Sequence, residues 1–255
     1  MKSELFSAIP THVPSPTTFA VLGIPVHLHD HYLDWMLDRL SHRQGIHVVT
    51  LNAEMTMQAE TDPKLASVIN SADLVIPDGA GIVLYLRLYG WNVERCPGIE
   101  LSTHLLEASA RSSDPRSVFF FGGAPGIADQ AAQRLQQKIP GLKIVGTQHG
   151  YLQESEQPTF LEQLKSLQPQ IIFVGLGVPR QEHWIAQHRH LLPEATWIGV
   201  GGSFDIWADR KKRAPAWLRD NHLEWVYRLY QEPWRWRRML ALPLFAWRAV
   251  LERIS

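Results

Sequence analysis

Two hydrophobic patterns alternate along the chain. Short apolar runs end in polar or glycine-rich turns, and between them lie longer stretches whose apolar residues recur every three to four positions. The first pattern reads as strand and the second as amphipathic helix. Strands are predicted over Phe19–Val26, His47–Asn52, Leu74–Pro77, Ser117–Phe121, Leu142–Val145, Gln170–Val174 and Thr196–Val200. A helix is predicted from a cap at Asp30 to about Ser41. Another spans Pro63–Asn70, with Asp62 as N-cap and Pro63 at the first helical position. Further helices follow Gly79 to about Tyr89 and span Leu101–Arg111, Ile127–Lys138, Phe160–Leu167 and Pro179–His188. The stretch between Asn52 and Asp62 receives no assignment. From Ala216 the pattern is helical to the end, with interruptions at Pro233 and Pro243.

Strands alternating with helices predict an α/β fold: a Rossmann-like, doubly wound, mostly parallel sheet covered on both faces. Ligands of such sheets bind beyond the carboxyl ends of the strands. Residues 1–18, with three prolines, read as a flexible leader, 19–208 as the α/β core, and 209–255 as a helical appendage.

Composition narrows the class. The 255 residues carry 25 Lys+Arg against 25 Asp+Glu, with 45% hydrophobic and 20% charged residues. This excludes a disordered chain, a collagen-like repeat, a disulfide scaffold and a globally basic nucleic-acid binder. Cys96 is the one cysteine, so no disulfide forms within the chain. Phe6–Ile9 is broken off by Pro10, and no signal peptide is read. The longest apolar stretch, Met239–Trp247, has nine residues where a spanning helix needs roughly 20. The chain is therefore expected to be soluble or to sit on a surface.

The zero net charge conceals an asymmetry. Asp209–Ser255 holds eleven Lys/Arg and five Asp/Glu, a net of +6, which leaves −6 on the rest. Six of the ten tryptophans lie between Trp207 and Trp247. Tryptophan favours the membrane interface, and Lys and Arg are drawn to anionic head groups. The plainer alternative is a helical tail packed on the core with a solvated basic face.

Candidate chemistry sits at strand ends. Glycine turns occur at Gly122-Gly123-Ala124-Pro125-Gly126, at Gly175-Leu176-Gly177 with Gln181 beyond it, and at Gly199-Val200-Gly201-Gly202. Glycine between a strand and a helix lets backbone N–H groups reach an anion at a helix N-terminus. Three such turns suit a diphosphate, although each could merely be a tight βα connection. None is G-x-G-x-x-G or G-x-x-x-x-G-K-[ST], so nicotinamide and ATPase readings are weak. Asp205 could accept from a ribose or base edge, or cap a helix. Asp78, between Pro77 and Gly79, could take a proton from a hydroxyl nucleophile, or cap the next helix. His27, His29 and His31 would share a face if their strand persisted, but Asp30 reads as a helix start. No metal site is assigned, and no D-x-D pair exists to hold a metal on a nucleotide diphosphate.

Several stretches together carry a resemblance to a known family. They are T-L-N-A-E at Thr50–Glu54, A-D-L-V-I-P-D-G-A-G at Ala72–Gly81 and E-R-C-P-G at Glu94–Gly98. F-G-G-A-P-G, V-G-L-G-V-P-R-Q-E at Val174–Glu182 and G-V-G-G-S-F-D at Gly199–Asp205 follow, then R-A-P at Arg213–Pro215 and L-E-W-V-Y-R-L-Y-Q-E-P-W-R at Leu223–Arg235. In order and spacing the chain resembles the WecG/TagA/CpsF glycosyltransferases over about Val21–Phe245. Asp209 departs from the family pattern, which has a small residue there.

The resemblance implies an inverting, metal-independent transferase without a cofactor. Such enzymes move a sugar, often N-acetylmannosamine, from its UDP form onto undecaprenyl-diphosphate-linked N-acetylglucosamine. They work at the inner face of the cytoplasmic membrane in teichoic acid, common-antigen or capsule synthesis. It implies Asp78 as general base, with Thr50 and Asn52 near the sugar. Arg228, Arg235 and Arg238 would engage the lipid diphosphate. Arg95, Gly122, Gly123, Gly126, Gly177, Gln181, Gly201, Gly202 and Asp205 complete the expected substrate-binding set. Expected partners are the UDP-sugar, the polyprenyl-linked acceptor and the membrane surface, with no nucleic acid and a homo-oligomer left open. A non-catalytic nucleotide-sugar binding module is the rival reading.

Overall fold

The computed structural model describes residues 13–221 and 223–254. Its centre is a sheet of six parallel strands: β3 (His47–Leu51), β4 (Leu74–Pro77), β5 (Ser117–Gly122), β6 (Lys143–Gln148), β7 (Ile171–Gly175) and β8 (Thr196–Gly199). Their spatial order is β4-β3-β8-β7-β5-β6. The two preceding strands, β1 (Thr17–Val21) and β2 (Ile24–Leu28), pair antiparallel as a separate hairpin. A single strand was the expectation over Phe19–Val26. The chain instead reverses at Leu22 and Gly23, whose φ values of 49° and 76° suit a tight two-residue hairpin turn. The hairpin is tied to the sheet edge where the Val75 N–H donates to the His27 ring Nδ1 at 2.8 Å.

Of the expected leader, residues 1–12 lie outside the described residues. Val13 is buried in the core, and Thr17 and Thr18 belong to β1.

The helices are α1 (Tyr32–Ser41), α2 (Ala53–Thr61), α3 (Pro63–Asn70), α4 (Ala80–Leu88), α5 (Gly98–Arg111), α6 (Ile127–Lys138), α7 (Gln157–Leu167), α8 (Arg180–His188) and α9 (Ser203–Trp207). After them come α10 (Ala216–Asp220), α11 (Glu224–Gln231), α12 (Trp236–Met239) and α13 (Ala241–Ile254). The Asp62 carboxylate caps α3 by accepting from the Lys64 and Leu65 N–H groups, as its Asp-Pro start predicts. Helix α2 falls in the stretch left unassigned. Pro243 does not interrupt the tail: it lies in the first turn of α13, where its missing N–H has no helical partner to lose.

Side chains alternate across the sheet and divide the core. Val48, Leu74, Ile76, Val118, Phe120, Phe173 and Ile198 face α1, α5, α6 and α9. Val49, Leu51 and Val75 face α2, α3, α4 and the hairpin, and Phe119, Phe121, Val174 and Trp197 face α7 and α8. Both faces of the central strands are covered, so β4, β5, β7 and β8 are almost wholly apolar, whereas the edge strand β6 is only partly buried and carries Lys143, Thr147 and Gln148. The C-terminal helix α13 joins this core by burying Phe245 and Ala249 against α2 and α4. Asp209 adopts φ 59°, a left-handed conformation easiest for a residue without a side chain. Its carboxylate is held by Arg134 at 3.0 Å.

Candidate active site

A cleft opens over the carboxyl ends of β4, β3, β8 and β7, and the basic segment 211–238 forms its other wall. Asp78 leaves the end of β4 into this cleft. Its Oδ1 accepts from the Gly98 N–H at 3.0 Å, the first turn of α5. Gly98 has no room for a side chain: an added Cβ would lie 2.5 Å from Thr50 Cγ2. Gly79 is equally confined, with its Cβ position 2.8 Å from Asn52 Cβ. The contacts made by Gly98 and Gly79 thus lock Thr50, Asn52 and Asp78 together.

Burial pushes the Asp78 carboxyl above the usual carboxylate range. The Arg228 guanidinium, the Gly98 N–H and Arg95 oppose that shift, while Glu224 adds to it. Thr50 Oγ1 donates to the Gly199 carbonyl at 3.3 Å. Asn52 Oδ1 accepts from the Met55 N–H at 3.0 Å, so this side chain also caps α2. Cys96, beside Asp78, is a neutral thiol: burial first, then the Asp78 and Glu100 carboxylates, push it up to about 12.

The tail arginines arrive already paired. Arg228 meets Glu224 at 3.1 Å, Arg238 meets Glu54 at 3.5 Å, and Arg235 is held by Glu232. Glu224 also receives Arg95 Nη1 at 3.0 Å. Burial alone would raise Glu224, yet Arg228, Arg95 and Arg213 hold it below the usual range. Lys211 bridges Asp205 and Glu232 at 3.1 and 2.8 Å. Arg213 and Arg219 share Glu100. The wall is thus cationic in excess, but Arg213, Arg219, Arg228, Arg235 and Arg238 are each oriented by a carboxylate.

Of the residues singled out from the sequence, Thr50, Asn52, Asp78, Gly177, Gln181, Gly201, Gly202, Arg228, Arg235 and Arg238 line this one cleft. Arg95 does not line the cleft; it pairs with Glu224, which does, and its charge is felt by Asp78. Gly122 and Gly123 sit one strand further on, packed against β7: a Cβ on Gly122 would lie 2.4 Å from the Gly175 carbonyl oxygen. Gly126, at φ 80°, is the residue before α6. The Gly122–Gly126 turn therefore stands outside the cleft lining. Asp205 is in the first turn of α9 behind Gly202, with its carboxylate on Lys211 rather than as the helix cap. His27, His29 and His31 do not share a strand, since β2 ends at Leu28. Among the described residues, no group of three or more His, Cys, Asp or Glu side chains is placed to hold a metal ion.

Sequence reasoning missed Gly98, Glu224, Lys211, Arg213 and the buried pair His47–Glu182. The Glu224–Arg228 spacing of four on a helix was a usable signal for one of them. Gly98, Arg213 and Glu182 lie in stretches that carry the family resemblance, but their contacts, like those of Lys211 and His47, are brought together only by the fold.

The model of the glycosyl transferase WecG/TagA/CpsF family matches residues 19–255. A Bacillus spizizenii protein named N-acetylglucosaminyldiphosphoundecaprenol N-acetyl-beta-D-mannosaminyltransferase is 36% identical over 220 residues, 86% of this chain and 81% of its own. Proteins of the same name from Bacillus subtilis strain 168 and Staphylococcus aureus strain MW2 are 34% and 33% identical. These matches cover 86% and 80% of this chain, and 82% and 79% of theirs. The chain belongs to the WecG/TagA/CpsF family of glycosyltransferases.

Proposed function

We propose that this glycosyltransferase moves N-acetylmannosamine, or a closely related sugar, from a UDP-sugar to a polyprenyl-diphosphate-linked N-acetylglucosamine. The names of the relatives support the sugar and the acceptor. The observation that carries the mechanism is Asp78: a carboxylate in a cleft, raised by burial, beside Thr50, Asn52 and the paired arginines. Asp78 accepts the proton of the acceptor hydroxyl as its oxygen attacks the anomeric carbon from the face opposite the leaving UDP. A single displacement inverts the configuration and needs no protein nucleophile.

The N–H groups of Gly177 and Gly202 take the donor diphosphate, the neighbouring Gly201 N–H being held by Gln181 Oε1, and charge building on the leaving phosphate is met there. Arg228, Arg235 and Arg238 exchange their carboxylate partners for phosphate oxygens, which a guanidinium binds in bidentate fashion. These cations do the neutralising that a divalent metal does elsewhere. Thr50 and Asn52 orient sugar hydroxyls.

Large apolar side chains lie exposed along the same C-terminal segment: Tyr230, Trp234, Trp236, Leu240 and Trp247. No helix among the described residues is long and apolar enough to cross a membrane. An interfacial aromatic and basic surface of this kind suits docking on the inner face of an anionic membrane, where the lipid acceptor resides. The test is UDP release from a panel of UDP-sugars in EDTA, with and without a short-chain polyprenyl-diphosphate-GlcNAc. Acceptor-dependent release from one sugar is expected. UDP-sugar binding without release under any condition would favour the binding-module reading.

A further inference from the structure

Beneath the cleft lies a buried polar chain whose inner members, Glu182 and His47, the proposed chemistry does not use. Glu182, on α8, and His47, at the start of β3, have side chains 0% and 1% exposed. His47 Nε2 lies 2.8 Å from Glu182 Oε2. The other carboxylate oxygen, Oε1, receives the Gln181 amide Nε2 at 2.9 Å. The Gln181 Oε1 in turn accepts the Gly201 N–H at 3.0 Å. The chain therefore runs His47, Glu182, Gln181, Gly201, and its last member lines the cleft.

Only one orientation of the Gln181 amide satisfies both of its contacts. A carboxylate only accepts, so the NH2 group must face Glu182 and the carbonyl oxygen must face the Gly201 N–H. A flipped amide would set oxygen against oxygen and N–H against N–H. The fold makes room for this device on the sheet surface. A Cβ on Gly199 would lie 2.4 Å from Glu182 Oε1 and 2.5 Å from Gln181 Nε2. Burying a carboxylate is costly unless it is hydrogen-bonded and paired, and here each oxygen has a partner. Apolar residues would fill the same space at lower cost, so the polar chain serves something other than packing.

We propose that Glu182, held by His47, is a positioning residue: it fixes the Gln181 amide so that the Gly201–Gly202 turn presents its backbone to the donor's diphosphate. Gly201 has φ 51° and nothing within 4 Å of its Cβ position, so little else constrains this turn from the cleft side. The inference rests on the proposed donor site.

The test uses the full chain and UDP as the probe. Glu182→Gln keeps the size but supplies only one acceptor oxygen for two donors. His47→Leu removes the ring donor, and His47→Gln keeps an N–H that can reach Glu182. UDP affinity is expected to fall about tenfold in Glu182→Gln and His47→Leu, the worth of one charged hydrogen bond. In His47→Gln it should stay within about threefold of the parent. Hydrogen exchange at the Gly201 amide should accelerate in the first two variants and not in the third. A purely structural role would lower the melting temperature while leaving folded protein with parental UDP affinity and Gly201 exchange, and that result would overturn the inference. If Glu182→Gln does not fold, the two His47 variants decide the matter. If the parent itself fails to bind UDP, the donor site is wrong, whereas Gly201 exchange still judges the positioning chain.

Discussion

The Gly98 N–H donates to Asp78 Oδ1 at 3.0 Å, and that one contact sets how the carboxylate works. It comes from the first turn of a helix, where free N–H groups favour negative charge. Burial acts the other way and dominates, leaving the carboxyl above its ordinary value. A base held in this balance is oriented by one oxygen and free to take a proton on the other.

Asp78→Asn should abolish this chemistry while keeping the contact, because an asparagine oxygen still accepts from Gly98. Transfer is expected to fall by about 10²- to 10⁴-fold, the usual worth of a general base. Donor binding should be retained, measured by UDP titration. The parent's rate should rise with pH through a limb lying above the ordinary carboxylate range, and the variant should lack that limb.

The same substitution has a consequence for stability. A carboxyl whose folded pKa is raised contributes stability below its unfolded value, near 3.8, and loses it as pH rises through the folded value. The parent therefore carries a deficit at neutral pH that asparagine does not. Asp78→Asn should melt higher than the parent at pH 7 to 8, and the gap should close as pH falls toward about 4. Thermal melts across this range measure it, and a variant that melts lower at neutral pH would refute the burial argument.

Glu224 behaves with the opposite sign. Its pKa is held below the usual range by Arg228, Arg95 and Arg213, so its contribution is present at neutral pH and is lost as pH falls through the depressed value. Glu224→Gln leaves Arg95 and Arg228 facing each other without their carboxylate. A loss of about 2 kcal/mol at pH 7 is expected from denaturant melts, shrinking under acid conditions where the parent's Glu224 is protonated.

Much of the fold could be read locally. The bounds of β4 and α3 follow from an apolar run ending at Pro77 and from the Asp62-Pro63 start, because both signals act within a few residues. Helix α2 was hidden because Ala53, Met55, Thr56, Met57 and Ala59 are all buried, between the sheet and α13, so no clean amphipathic stripe appears. The β1–β2 hairpin was hidden because Leu22, not a glycine, takes the first left-handed position of its turn. Site residues carried by motifs, such as Thr50, Asn52, Asp78 and Arg228, meet in one cleft. His47 and Glu182 touch across 135 positions of sequence, and no spacing rule reaches that far.

The tail cannot be tested by cutting it off. Removing residues 209–255 would take away Phe245 and Ala249 and uncover their apolar seat on α2 and α4. Point substitutions separate docking from folding. Trp234, Trp236 and Trp247 are 71%, 53% and 61% exposed, so replacing all three with alanine should leave the melting temperature near the parent's. Flotation with anionic liposomes should fall several-fold, and the remainder should be more sensitive to salt, since basic attraction is screened within about 10 Å at 0.1 M. Unchanged flotation would remove the membrane from the function of this segment.

The packing of Gly98 on Thr50 offers a test with built-in rescue. Gly98→Ala places a Cβ 2.5 Å from Thr50 Cγ2, and both residues are fixed by the elements that carry them, the start of α5 and the carboxyl end of β3. Something must move, and the Gly98 N–H moves with it. Overpacking of this kind costs about 1–3 kcal/mol, and the displaced N–H should lower transfer as well as stability. Thr50→Ser removes the offending methyl and keeps the hydroxyl that donates to Gly199. The remaining neighbours, Thr50 Cβ at 3.0 Å and Oγ1 at 3.4 Å, are tight but tolerable. Gly98→Ala with Thr50→Ser should therefore recover part of both the melting temperature and the turnover lost in Gly98→Ala alone. A double variant no better than the single one would mean that Gly98 matters for its backbone conformation and not for the space beside Thr50.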